Sequence, residues 1–287
     1  MDADVESTHF AIGSNHLCML YNFVSVICYG DNDHGQLGVQ VSRNGFGEPI
    51  DFGHELNATQ LSLGQNSSCA TLSNFRVKCW GQNSGSLGYG DMIDRGFDAD
   101  DMGDCLPSID LGDGASVEQV AKGAHHTCVV LTDGGAKCWG EGAFGALGYG
   151  DEVTRGGDGD LGDNLPRIDL GTEAAASSVP HTVVELSLGD RFTCARLAGG
   201  DVKCWGSSTT GQLGYGDTAS RGTTDASMGD NLPIVDLGAF SVKKIDAGSK
   251  HACALSDAGA VKCWGNGVAL GLGDQLPGGD EQWQMGD

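Results

Sequence analysis

Five times the chain repeats one pattern: a glycine, a short extended segment ending in cysteine, a turn, a second cysteine, an aromatic residue with glycine, and a glycine-rich tail. The copies run Gly13 to Gly38, Gly64 to Gly90, Gly123 to Gly150, Gly189 to Gly216 and Gly248 to Gly273, and their first cysteines recur at steps of 51, 59, 66 and 59 residues. A unit this long exceeds a helical solenoid repeat and approaches the blade of a propeller. The chain therefore reads as one repeat domain over 1–287, in units of about 5–53, 54–112, 113–171, 172–238 and 239–287, around one shared core. The 48 glycines fall at fixed places in the unit, which marks turns rather than disorder.

The third copy shows how a unit is built. Ser116 to Ala121 reads as a first strand, His126 to Leu131 as a second and Ala136 to Trp139 as a third, with the turn Thr132-Asp133-Gly134-Gly135 between the last two. The tail Phe144-Gly145-Ala146-Leu147-Gly148-Tyr149-Gly150 suits a tight bend where backbones approach closely. An aspartate-rich loop follows, and Asn164 to Gly171 resumes an extended segment whose Pro166 suits an edge strand. Four short strands per unit predict an all-β propeller blade.

The wording His-Thr-Cys-Val-Val-Leu, Lys-Cys-Trp-Gly and Gly-Ala-Leu-Gly-Tyr-Gly over 126–150, with Gly-Gln-Leu-Gly at 35–38 and 211–214, resembles the repeat of the regulator of chromosome condensation family. The resemblance covers nearly the whole chain and implies a β-propeller of four-stranded blades. Founding members are similar to seven-bladed rings, so five units leave open a smaller closed ring, an arc, or part of a larger propeller or assembly. Tyr29 stands where the other copies have Trp80, Trp139, Trp205 and Trp264. The last copy reaches Gln275-Leu276-Pro277 without an Ile-Asp-Leu-Gly segment, so its outer strand is expected to be missing or differently built. No inserted wedge-like hairpin is visible, and the nucleotide-exchange activity of the founding member finds no support in the residues.

Each copy carries two cysteines ten positions apart: Cys18 and Cys28, Cys69 and Cys79, Cys128 and Cys138, Cys194 and Cys204, Cys253 and Cys263. A hairpin closing between them sets the pair opposite each other at a Cα separation of about 4.5–5.5 Å, inside the range a disulfide needs. Five cross-strand disulfides are thus expected in an oxidising compartment. The alternative use is as small buried hydrophobes between blades. Cys105 lies outside the pattern and reads as a free thiol.

Acidic loops follow Tyr89-Gly90-Asp91, Tyr149-Gly150-Asp151 and Tyr215-Gly216-Asp217, and equivalent loops in a ring share a rim. Clustered carboxylates suit Ca²⁺, and Asp91, Asp104, Asp151, Asp163, Asp217 and Asp230 are the candidate ligands. Arg95, Arg155 and Arg221 recur beside them and suggest simple ion pairing, while the Gly-Asp-Asn-Leu-Pro aspartates can cap turns. No EF-hand spacing occurs. His16, His126 and His251 sit two residues before a cysteine, where reduced thiols could complete a zinc site; a packed core histidine is the plainer use. The four repeat tryptophans, Trp80, Trp139, Trp205 and Trp264, read as wedges between blades, with a stacking surface for a sugar or peptide as the other option.

No catalytic constellation is present: there is no Gly-x-Ser-x-Gly elbow, no phosphate-binding glycine loop and no His-Glu-x-x-His helix. Only Cys105 and the insert Thr172 to His181 break the repeat. A formal charge of −23 repels phosphate backbones and acidic membranes, which argues against direct nucleic-acid binding. No apolar run is long enough to span a bilayer, and residues 1–6 lack the features of a signal peptide. Asn57 and Asn66 stand in glycosylation sequons if the chain is extracellular. The sequence therefore points to a non-enzymatic recognition or assembly module without an obligatory cofactor, extracellular or luminal, whose acidic rim meets a protein, a glycan or a cation. The alternatives are an intracellular regulator, acting on nucleotide exchange or capping an enzyme, and a structural subunit of a larger assembly.

Overall fold

Each repeat folds into a three-stranded antiparallel sheet whose strands follow chain order. The computed structural model describes residues 7–21, 25–39, 48–173, 179–270 and 278. Blade one holds β1 (Ser7–Ile12), β2 (His16–Tyr21) and β3 (Ser25–Gly30); blade two β4 (Ala58–Leu63), β5 (Ser67–Leu72) and β6 (Val77–Gly81). Blade three holds β7 (Val117–Lys122), β8 (His126–Leu131) and β9 (Ala136–Gly140); blade four β10 (Val183–Leu188), β11 (Phe192–Leu197) and β12 (Val202–Gly206); blade five β13 (Val242–Ala247), β14 (His251–Ser256) and β15 (Val261–Gly265). Among the described residues helical structure is confined to short 3-10 turns.

The hairpin between the second and third strands closes where the sequence places it. In blade three, Asp133 Oδ1 accepts from the Gly135 N–H at 3.1 Å and Gly134 takes a left-handed φ of 83°, a turn that glycine enters without steric cost. Closing there puts Cys128 directly opposite Cys138, and the same register pairs the cysteines of all five blades. All five pairs are disulfide-bonded, with Cα separations of 4.0–4.1 Å, closer than the sequence-based expectation.

The expected fourth strand is present only in outline. Ile50, Ile109, Ile168 and Val235 each donate one main-chain bond, to the carbonyls of Val26, Val77, Ala136 and Val202. Pro107, Pro166 and Pro233 precede three of these bonds and have no N–H to extend the ladder. The ladder sites beside the cysteines are taken by a tyrosine: the Tyr149 hydroxyl accepts from Cys138 N–H at 2.9 Å and donates to Cys138 O at 3.0 Å. Tyr89 and Tyr215 do the same at Cys79 and Cys204. A phenol thus occupies the edge where a fourth strand would pair.

The apolar interior is not one mass but four layers, one between each pair of neighbouring blades. Side chains alternate across a strand, so the two faces of a blade feed two different layers. The tryptophans are the wedges. Trp80, Trp139, Trp205 and Trp264 are at most 1% exposed, and their indole N–H groups donate to the preceding blade at Gln36, Ser86, Ala146 and Gln212 carbonyls, over 3.0–3.1 Å. Tyr29 has no preceding blade among the described residues.

Three of those carbonyls accept a second bond from the following blade. Ser68, Thr127 and Thr193 hydroxyls donate to Gln36, Ser86 and Ala146 oxygens at 2.9, 2.7 and 2.9 Å. Because Thr193 spends its proton on Ala146, it accepts at 2.8 Å from His126 Nε2–H, which leaves His126 Nδ1 bare and without a partner. His16 and Ser68 repeat the arrangement at 2.8 Å. At the fourth joint Phe192 and Ala252 replace the histidine and hydroxyl, an apolar pair for a polar one.

Burial pushes the pKa of His126 down to about 3 and that of His16 to about 4. Both are neutral when folded and titrate near 6.5 when unfolded, so the unfolded chain binds more protons as pH falls below 6.5. Stability is then lost between about pH 6.5 and pH 4, by about 3 kcal/mol for each histidine. Urea midpoints at pH 7 and 4.5 read this. The double variant His126→Phe with Thr193→Ala, copying the fourth joint, is expected to remove about half of the loss; an unchanged pH dependence would overturn the assignment.

Inner strands β1, β4, β7, β10 and β13 pack against one another in chain order, and no comparable packing joins β13 to β1 among the described residues. The described blades form an arc about an open funnel of about 550 Å³, lined by the glycines that follow each inner strand and by their neighbours. Residues 271–277, where the fifth outer strand is expected to be altered, lie outside the described residues. No helix among the described residues is long and apolar enough to cross a membrane.

Candidate functional site: the crest of acidic loops

The loops after Tyr-Gly-Asp start from the same end of each blade and return to it. Arg95, Arg155 and Arg221 form isolated bridges with Gly81, Gly140 and Gly206, the last residues of β6, β9 and β12. Equivalent attachment places the three loops in a row along one rim, here termed the crest.

Each crest loop is locked by the same four residues. In blade three, Asp151 Oδ1 accepts from the Val153 N–H at 3.0 Å, a local turn that aspartate forms readily. That turn brings Arg155 back onto Asp151, where two parallel bonds of 2.9 and 2.7 Å join guanidinium to carboxylate. The guanidinium carbon stands 4.4 Å above the centre of the Tyr149 ring, whose hydroxyl holds Cys138. Blades two and four repeat this with Asp91, Arg95 and Tyr89 (4.3 Å) and with Asp217, Arg221 and Tyr215 (4.2 Å). The arginine bonds hold the Asp91, Asp151 and Asp217 carboxyls below the usual carboxylate range, and burial raises the three phenols.

The crest also spans joints. A Cβ at Gly96, Gly156 or Gly222 would collide with the carbonyl of Gly35, Gly85 or Gly145 in the preceding blade. Glycine is needed there because two backbones touch.

The other three candidate ligands serve the opposite edge of the joints. Asp104, Asp163 and Asp230 accept from the main-chain N–H of His54, Asp113 and Thr172 at 2.9, 3.0 and 2.8 Å. A cation at any of the six aspartates would have to displace an arginine or a main-chain donor. No group of three or more His, Cys, Asp or Glu side chains is gathered for a metal among the described residues. The disulfides leave the zinc reading without thiolates. Cys105 is a free, exposed cysteine. Of the insert 172–181, the described part is tied by a bridge between Thr172 and Pro180.

Sequence reasoning passed over the lysine of Lys-Cys-Trp-Gly. Lys78, Lys137 and Lys203 are buried and each donates to two main-chain carbonyls: Phe52 and Gly103, Leu111 and Gly162, Leu170 and Gly229, over 2.7–3.2 Å. Burial lowers their pKa. Each ammonium ties the outer segment to the turn that follows the acidic loop. Its recurrence directly before a cysteine was the available signal.

The model of the regulator of chromosome condensation (RCC1) repeat matches residues 117–146, 183–212 and 242–268, which correspond to the first three strands of blades three to five. Blades three to five thus carry RCC1-like repeats. The ultraviolet-B receptor UVR8 of Arabidopsis thaliana is 29% identical to the RCC1-like chain over 248 residues, covering 84% of it and 49% of the receptor. The chain thus spans about half the length of that relative. Among solved structures, human WBSCR16 superposes with a TM-score of 0.71 at 20% identity, covering 98% of the RCC1-like chain and 67% of WBSCR16. Prp20p of Saccharomyces cerevisiae gives 0.66 at 19% identity, over 95% and 63%. At these identities the two structures establish the shared propeller fold.

Proposed function

We propose that the RCC1-like chain is a non-enzymatic protein-recognition module, working in an extracellular or luminal compartment, with the crest as its recognition surface. One observation carries this reading. The aspartate, arginine and tyrosine that recur in each crest loop are committed to holding its own backbone, yet the loops of blades two and three present large apolar side chains outward, with Ile93 63% and Val153 56% exposed. A fixed backbone carrying exposed apolar groups is what an interface anchor requires, because little freedom remains to be lost on binding. The funnel is wide and open and is lined by glycines together with polar residues such as Gln65, Lys122, His125 and Asp190, unlike the concave apolar pockets that hold small ligands.

The rival reading is an intracellular regulator. It is favoured by the likeness to Prp20p, a protein described by its binding to Gsp1p and histones. Five disulfides weigh for the oxidising compartment.

A photo-crosslinking residue at position 153, compared with one at position 75 at the hairpin end of blade two, tests the surface. Protein adducts formed in fluid from the chain's native compartment are expected from position 153 and not from position 75. Adducts from position 75 alone, or equally from both, would overturn the crest assignment. Denaturing alkylation of the native protein without reductant tests the compartment: ten freely reacting repeat cysteines would favour the regulator.

A further inference from the structure

We infer that the crest over the second and third blades binds a basic partner segment bearing closely spaced apolar side chains, a reading that rests on the crest being a protein-recognition surface. Met92, Ile93, Phe97, Phe144 and Val153 are 61, 63, 40, 40 and 56% exposed. They are side chains that normally seek the interior. The locked turns prevent it: with Asp91 Oδ1 held by Ile93 N–H and by Arg95, Met92 and Ile93 point away from the blade.

Met92, Ile93, Phe144 and Val153 form one patch across the joint between blades two and three, while Phe97 lies beside Gly35 at the joint with blade one. A Cβ on Gly85 would stand 3.5 Å from Met92 Cε, and Gly156 of the next loop packs on the carbonyl of that same Gly85. Three residues before Gly156, Val153 lays its carbonyl against Gly142, two residues ahead of Phe144. The Phe144 N–H donates to Glu152 Oε1 at 2.9 Å. Phe144 is held outward at a left-handed φ of 60°, a conformation disfavoured for an aromatic residue. The patch stops at blade four, where the corresponding loop reads Thr218-Ala219-Ser220.

Its charge selects the occupant. From Asp91 to Asp101 there are five aspartates to one arginine, and from Asp151 to Asp160 four carboxylates to one arginine. Both arginines are bonded to Asp91 and Asp151, so neither offers a free cation to an acidic partner. An anionic surround steers cationic groups and repels acidic ones, while apolar contact supplies the holding energy. Lysine or arginine interleaved with leucine-like side chains matches both features.

The probe is a synthetic amphipathic peptide of leucine and lysine, read by fluorescence anisotropy at physiological salt, beside an oligolysine of equal charge and a leucine–glutamate peptide. The leucine–lysine peptide is expected to bind at least about tenfold tighter than oligolysine, and the acidic peptide not at all. The triple variant Met92→Ser, Ile93→Ser, Val153→Ser is expected to lose about tenfold or more, and Phe75→Asn at the far end of blade two to lose nothing. Circular dichroism confirms that each variant keeps its fold. Equal binding of oligolysine, or a triple variant that binds as well as the parent, overturns the inference. Failure of every peptide while position 153 still yields adducts overturns the partner chemistry alone and leaves the protein-recognition reading standing.

Discussion

Trp139→Ala is expected to destabilise the arc by about 3–5 kcal/mol, the range for emptying a fully buried tryptophan site. The indole is 0% exposed and donates to Ser86 O at 3.1 Å, so the variant loses both the wedge and one of the two donors on that carbonyl. Because the interior is divided into joints, the loss should be local before it is global. Hydrogen exchange should quicken most in β5, β6, β8 and β9, while β13 and β14 change least. Tyr29→Ala removes the equivalent aromatic where no joint is described, and is expected to cost far less. Equal effects of the two substitutions would mean that the tryptophans do not carry the joints.

Under graded reductant, Cys253–Cys263 is expected to open first, at least about tenfold faster than the other four bridges. Thiol–disulfide exchange needs access to sulfur. The cysteines of the first four blades are at most 1% exposed, covered by the inner strand and tryptophan of the following blade. Cys253 and Cys263 are half-buried. Each bridge closes a loop of about ten residues, worth about 2–3 kcal/mol on chain entropy. Loss of the fifth should therefore loosen blade five, whereas loss of all five approaches the whole stability of an ordinary domain. Differential alkylation with mass spectrometry gives the order; simultaneous opening of all five would show that neighbouring blades do not shield the sulfurs.

What the sequence disclosed was whatever recurs with fixed spacing. Three strands per blade, the Asp133-Gly134 turn, the cysteine pairs and the tryptophan wedges all depend on residues near in sequence or repeated without change. The fourth strand was over-read, because its extended, proline-led composition does not reveal that Tyr149 already occupies the Cys138 edge. The acidic loops showed their charge and the recurring arginine suggested ion pairing, but not which carboxylate it takes: the i, i+4 pairing of Asp151 with Arg155 forms once the local turn and the tyrosine ring below it are in place. Phe144 and Val153 looked like ordinary tail and loop residues. That they stand outward follows from contacts with Glu152 and Gly142 that no period encodes. The division of the core into four layers was equally hidden, since a single repeat does not say whether its two faces meet the same neighbours.

The position of each disulfide has a mechanical consequence. Every bridge joins the second and third strands of one hairpin, so tension applied along the chain bypasses the residues between the cysteines. At about 3.5 Å per residue, each blade withholds about 35 Å of slack that a reduced chain would pay out. Pulled from its ends, the oxidised arc would part at its joints while the hairpins stay closed. It is a tether with a fixed reach.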